Sequence, residues 1–149
     1  MRAVVQRVDQ AHVTVAAKTV GKIGKGLLVY LGIGKGDNEA KCLWMANKIA
    51  GLRVFPDERD RMTLSALDVQ GDVLIVSQFT LYGDVRKGRR PSFDSAAPPE
   101  LALSLYKKTC AALQELGLKV EAGRFREHML VNAEVNGPVT IMVDSEGTF

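Results

Sequence analysis

The sequence predicts a single α/β domain, a mixed β-sheet carrying two main helices. Three observations lead there. Short β-branched apolar runs recur along the chain, which is the signature of strands. Only two stretches carry apolar residues at amphipathic helical spacing. Finally, 149 residues suit one compact domain and leave no room for a second of ordinary size.

The elements follow in order. Residues 4–8 and 13–16 are β-branched and partly alternating, two expected strands joined near Asp9-Gln10. Gly21, Gly24 and Gly26 punctuate a turn, and residues 27–31 (Leu-Leu-Val-Tyr-Leu) form an apolar run suited to a strand buried on both faces. Asp37-Asn38 supplies a helix cap. Cys42, Met45, Ile49 and Leu52 then recur on one helical face. Residues 56–61 read as a polar loop, and residues 73–76 (Val-Leu-Ile-Val) as the clearest strand, running into Ser77-Gln78-Phe79-Thr80-Leu81. Residues 83–99 lack periodicity and are dense in Gly, Pro, Arg and Ser, a long loop of the kind that is usually functional or mobile. Pro98-Pro99-Glu100 opens the second helix, whose buried stripe is Ala102, Leu105, Tyr106, Thr109, Leu113 and Leu116, capped by Gly117. Residues 128–135 alternate again, and residues 139–143 form a last strand after Asn136-Gly137-Pro138.

Several classes are excluded. Hydrophobic residues at 46% and charged residues at 25% rule against disorder and fibrous repeats. No apolar run approaches the ~20 residues of a membrane helix, and the opening residues lack a signal-peptide core, so no membrane partner is expected. The two cysteines, Cys42 and Cys110, have no Cys or His at ligand spacing. They read as reduced, mostly buried thiols of a cytoplasmic protein, with no metal site and no disulfide framework. Gly32, Gly34 and Gly36 imitate a dinucleotide fingerprint, but Asp37 stands where phosphate contact and close helix packing argue against it. A turn with a helix cap explains the run better, and no cofactor is expected. His12 and His128 are far apart and lack metal spacing. Catalysis therefore falls to backbone dipoles, side-chain amides and hydroxyls, or to groups the substrate brings.

Three segments carry chemistry. Ser77, Gln78, Phe79 and Thr80 leave the carboxyl end of a buried strand, where α/β sheets commonly place ligands; alternatively they satisfy turn backbone. Gly137-Pro138 is a candidate cis peptide or an ordinary hairpin turn. Arg86, Lys87, Arg89 and Arg90 form a basic cluster on the long loop, suited to phosphate or simply solvated. The net charge of +3 does not by itself announce a nucleic-acid binder.

Taken together, these segments resemble the D-aminoacyl-tRNA deacylases. The likeness rests on Ser77-Gln78-Phe79-Thr80-Leu81, on Tyr82-Gly83-Asp84 through Arg86-Lys87-Gly88-Arg89-Arg90-Pro91-Ser92-Phe93, on Gly137-Pro138-Val139-Thr140 and on the first strand with Arg7. The resemblance implies a partly barrel-like sheet and a homodimeric editing enzyme acting on aminoacyl-tRNA. Such an enzyme hydrolyses the ester of D-aminoacyl-tRNA, and of glycine mischarged on tRNA(Ala). It implies that Gly137 and Pro138, in a Gly-cisPro motif held by Arg7, reach into the partner subunit's pocket and exclude L-amino acids. Ser77, Gln78, Phe79 and Thr80 would hold the adenosine and the scissile ester, with Phe79 and Thr80 giving an oxyanion hole. Phe125 and Ala102 would line the adenine pocket, and Arg86, Lys87, Arg89 and Arg90 would contact the tRNA. Thr80 is one proposed nucleophile; the terminal 2′-hydroxyl of the tRNA is the favoured alternative, because no base is evident beside Thr80.

The chain departs from the family pattern at Val135-Asn136, usually Asn-Asp, at Arg126-Glu127, usually Gly-Ala or Ala-Ala, and at Asp60-Arg61-Met62-Thr63, usually Gly-Lys-Met-Asn. A sister group keeps the fold with a trans Gly-Pro and edits a small L-amino acid; Ser77 and Phe79 argue against it. The remaining alternatives are a non-catalytic tRNA-binding module and a small-molecule esterase.

Overall fold

A computed structural model describes residues 1–148. Strand β1 (Arg2–Val15) is the spine of the sheet. One of its edges is shared by β3 (Gly26–Gly32), which pairs with its first half, and β2 (Lys18–Ile23), which pairs with its second. The other edge carries β8 (Leu130–Asp144) along most of its length, all antiparallel. Beyond β3 the sheet continues with β6 (Asp72–Ser77) and β7 (Val120–Ala122), both paired parallel. The sheet is therefore mixed, and it curls. A Cβ on Gly21 of β2 would lie 2.9 Å from the Ala122 carbonyl of β7, so the two ends nearly meet and glycine permits the approach.

Curling gives the central strands two buried faces. Val8, Ala11, Val13, Ile23, Leu28, Leu74 and Val76 fill the inside of the curve. On the outside, Leu27, Val29, Leu31, Val73 and Ile75 pack against helices α1 (Glu39–Gly51) and α2 (Pro99–Glu115). This double burial explains why 27–31 and 73–76 are unbroken apolar runs rather than alternating ones. Asn38 caps α1, its side chain accepting from the Lys41 amide at 3.2 Å. Cys42, Met45 and Ile49 are buried on α1, with Leu52 as the C-cap residue. On α2 Leu105, Tyr106, Thr109 and Leu113 are buried; Ala102 and Leu116 are only half-buried, and Ala112 joins the stripe instead. Gly117 follows with φ +97°. Among the described residues, no helix is long and apolar enough to cross a membrane.

Four expectations are corrected. Residues 4–8 and 13–16 are not two strands: β1 runs straight through the exposed Asp9 and Gln10, and slips in register against β8 near Val8 absorb the twist. Most of the stretch from Gly21 to Gly26 is strand rather than turn. The real β1–β2 turn is made by Ala16 and Ala17 at φ +47° and +64°. The polar loop at 56–61 is closed by a small ladder of β4 (Phe55–Pro56) and β5 (Met62–Leu64). Asn136-Gly137-Pro138 does not join two strands; it lies inside β8, and the Gly137–Pro138 bond is cis.

Candidate active site

The pocket is built at the carboxyl end of β6. Four buried apolar residues, 73–76, hold that strand between β3 and β7. The Gln78 amide donates to Leu31 O at 2.8 Å, and residues 79–82 then coil into one 3₁₀ turn closed by Gly83 N donating to Thr80 O at 2.9 Å. The turn sits hard against β3. A Cβ on Gly32 would be 2.9 Å from Gln78 O, and one on Gly34 would be 2.7 Å from the Tyr82 ring. Gly32 and Gly34 of the glycine run thus admit the turn.

Arg2 locks the turn from the far side. Its Nη1 donates to Leu81 O at 3.1 Å, and its guanidinium lies 4.7 Å over the Tyr82 ring. The buried Asp37 accepts from Gly34 N at 2.6 Å and from the Tyr82 hydroxyl at 3.4 Å. Burial, and then the Asp37 charge, push the Tyr82 phenol well above its ordinary range, so it stays a donor.

The resulting cavity of about 610 Å³ brings together Ser77, Gln78, Phe79, Ala102 and Phe125. Phe79 is 57% exposed and meets Phe93 edge-to-face at 4.9 Å. Phe125 leans on Tyr106, whose hydroxyl donates to Ile75 O at 2.9 Å. Thr80 is exposed and is not among the cavity's lining residues; its Oγ1 accepts from the Gln78 carboxamide. Phe93, which entered only as part of the resemblance, and His128, given no role, also line the cavity. No local pattern marked either as cavity-lining: Phe93 lies in an aperiodic loop, and a single histidine near a strand has no partner spacing.

Arg7, Gly137 and Pro138 lie elsewhere. Arg7 pairs with Leu27 of β3, whereas Ser77 pairs with Leu31 of the same strand. Four residues along the strands and two strand spacings across put them roughly 15 Å apart. At this second locus, Arg7 donates to the Asn136 backbone carbonyl at 3.2 Å and to Val54 O at 2.6 Å.

The basic residues are on the surface. A backbone bridge between Asp84 and Ser92, at 2.8 and 2.9 Å, pinches off residues 85–91 as a lobe. Inside it Arg86 donates to both Asp84 oxygens, at 2.5 to 3.1 Å, and holds that carboxyl far below the usual range. Lys87, Arg89 and Arg90 are exposed, and Arg89 and Arg90 form no ion pair among the described residues. A larger cleft of about 790 Å³ opens beyond the turn. Its lining carries four basic residues (Arg2, Lys35, Lys41, Arg86) and four acidic ones (Asp37, Asp84, Asp94, Glu146).

Comparison with known proteins bears on this arrangement. Residues 4–144 match the family model described as D-Tyr-tRNA(Tyr) deacylase. A D-aminoacyl-tRNA deacylase of Thermotoga petrophila is 56% identical over 149 residues, covering all of both chains. One of Desulfitobacterium hafniense is 55% identical, with the same coverage. A solved structure described as c-Myc DNA Unwinding Element Binding Protein superposes with a TM-score of 0.92 at 40% identity, covering 97% of this chain and 99% of its own. One described as a probable eukaryotic D-amino acid tRNA deacylase gives 0.85 at 20% identity, covering 95% and 97%, which speaks to the fold alone. Fold and relatives define the class: a deacylase, an ester-cleaving hydrolase. The chain belongs to the D-Tyr-tRNA(Tyr) deacylase family.

Proposed function

We propose that the protein hydrolyses the ester of D-aminoacyl-tRNA, and of glycyl-tRNA mischarged on tRNA(Ala), as a cytoplasmic homodimer that rejects L-aminoacyl-tRNA. One observation carries the reading: a polar turn at the end of β6, with Ser77 and Gln78, opens on a cavity walled by Phe79, Phe93 and Phe125. Aromatic walls suit a stacked adenine. Ser77 and the Gln78 amide suit the ribose and ester oxygens. Phe79 and Thr80 are the first residues of a helical turn, so their N–H groups have no intrahelical partner and can face an oxyanion.

Thr80 does not act as the nucleophile in this proposal. Its hydroxyl contacts an amide, which cannot take a proton at neutral pH, so nothing activates it. The vicinal 2′-hydroxyl of the terminal ribose orients or activates the attacking water. An aminoacyl ester is already reactive, so positioning and oxyanion stabilisation suffice.

The chiral selector is the second locus. Gly137 and Pro138 are too far from their own chain's pocket to line it, which supports a cross-subunit role: each would enter the partner's cavity and meet the substrate α-amino group. Arg86, Lys87, Arg89 and Arg90 would hold acceptor-stem phosphates, giving affinity without sequence preference. The test is hydrolysis of D-tyrosyl-tRNA against L-tyrosyl-tRNA. Rapid loss of the D-ester alone is expected; equal or absent hydrolysis of both refutes the proposal. The exposed basic lobe and the relative described by DNA binding favour one second reading, nucleic-acid binding without catalysis. The same assay separates it, as binding with no ester loss.

A further inference from the structure

Away from the pocket, the carboxamide of Asn136 is held between a cation and an anion, both from β1. Its Oδ1 accepts from Arg7 Nη2 at 3.1 Å, beside the bond from Arg7 Nε to the Asn136 backbone carbonyl. Its Nδ2 donates to Asp9, with both carboxylate oxygens at 2.9 Å. The third Arg7 nitrogen, Nη1, is bound to Val54 O, so the guanidinium is fixed on both edges.

This clamp stands where the sheet does not hold the chain. Pairing between β1 and β8 passes from Gln6↔Thr140 directly to Val8↔Val135. Residues 136–139 therefore face Arg7 alone and have no ladder partner to fix their direction. Gly137 follows Asn136 at φ +124°, and a Cβ there would lie 2.9 Å from Arg7 Nη2. The guanidinium thus packs directly against the segment it orients.

Beside Asp9 of this chain, the chemistry open to position 136 is narrow. Arg7 offers only donors, and ionised Asp9 only acceptors. A side chain between them must accept on one side and donate on the other. A carboxamide does both; a carboxylate satisfies Arg7 but opposes Asp9 with like charge.

We infer that Asn136 is a positioning residue whose carboxamide, clamped between Arg7 and Asp9, aims the Gly137-Pro138 segment and thereby sets selectivity between D- and L-substrates. The inference rests on the proposed role of that segment in chiral selection. The experiment is a double-mutant cycle, with kcat/KM measured on D- and L-tyrosyl-tRNA. Asn136→Asp lowers the D-over-L ratio about tenfold or more. Asp9→Asn combined with Asn136→Asp exchanges amide and carboxylate, remakes the bond with reversed polarity, and returns the ratio to within about threefold of wild type. Affinity for uncharged tRNA stays constant throughout, which a general structural defect would not allow. An unchanged ratio in Asn136→Asp, or a double mutant as poor as the single, overturns the inference. Should Asn136→Asp fail to fold, Asn136→Ala removes both bonds without repulsion, and an unchanged ratio there overturns it equally. Wild-type protein that cleaves both hands alike refutes the proposed function, and the inference with it. Selective wild type with an insensitive Asn136 refutes the inference alone.

Discussion

Replacing Gly32 by alanine tests how the 3₁₀ turn after β6 is seated. The new Cβ would stand 2.9 Å from Gln78 O and 3.1 Å from the Leu81 Cβ. Ordinary contacts lie near 3.5 Å, so the turn must retreat by about 0.5 Å. Neither obstacle is the far end of a flexible side chain: one is backbone, the other the root of a residue whose carbonyl Arg2 holds. Overpacking of this kind costs about 1–3 kcal/mol, which lowers the melting temperature by roughly 3–9 °C for a chain of this size. Misplacing a reacting geometry by 1 Å costs about a hundredfold in rate, so half that displacement predicts roughly a tenfold loss of kcat/KM on D-tyrosyl-tRNA. Gly36→Ala is the internal control. It belongs to the same glycine run, yet its Cβ would meet nothing within 4 Å, so stability should stay within about 0.5 kcal/mol and turnover should hold. Thermal melts and single-turnover deacylation measure both variants. Wild-type behaviour in Gly32→Ala, or equal damage in Gly36→Ala, would refute the reasoning that the run exists to seat the turn.

Three further outcomes are expected. Thr80→Ala keeps D-tyrosyl-tRNA turnover within about tenfold, well short of the 10³-fold or larger losses that follow removal of a nucleophile; a loss of that size with tRNA binding intact makes Thr80 the nucleophile after all. Arg89→Ala with Arg90→Ala raises KM for tRNA and flattens its salt dependence by roughly 0.7–0.9 per lost phosphate contact. Arg86→Ala does less, because Asp84 already occupies one edge of that guanidinium; filter binding across a salt series orders the three. Burial raises both thiols, Cys110 to about 11, and the thiolate is the reactive form. Native protein at pH 8 should therefore react with a disulfide reagent far more slowly than unfolded protein. Because the raised value means the folded state holds its proton longer, the Cys110 thiol's contribution to stability falls as pH rises from about 9 to about 11. Fast titration of two thiols in the native protein contradicts this.

What the sequence disclosed and what it withheld divide along physical lines. β6 was legible because burial on both faces demands an unbroken apolar run, and α1 because Asn38 and the 42–45–49 stripe mark its cap and its buried face. The continuity of β1 was not, because exposed Asp9 and Gln10 imitate a turn while sheet pairing overrides them. Nor was the β1–β2 turn, since Ala16 and Ala17 adopt positive φ without the glycine or asparagine that usually announces it. At the site, Ser77, Gln78, Phe79, Ala102 and Phe125 converge on one cavity. That Arg7 and Gly137 form a separate locus is a fact of strand register, which no local pattern encodes.

The two loci share a principle that explains why histidine, cysteine and metal-ligand spacings were silent here. Each presents backbone groups and a carboxamide: the amides and Gln78 of the β6 turn, and the carbonyls and Asn136 that Arg7 and Asp9 hold. Such groups act only where they are aimed, and at both loci a missing Cβ makes the aim possible. Gly32 and Gly34 let the turn close on β3, and Gly137 lets the Arg7 guanidinium reach the chain it holds. Histidine, cysteine and carboxylate spacings report none of this, because they locate proton donors and metal ligands rather than close approaches of backbone. The informative signal lay in glycines whose neighbours are polar and whose positions serve no local turn. Their purpose is visible only from across the fold, in the atoms that a side chain would strike.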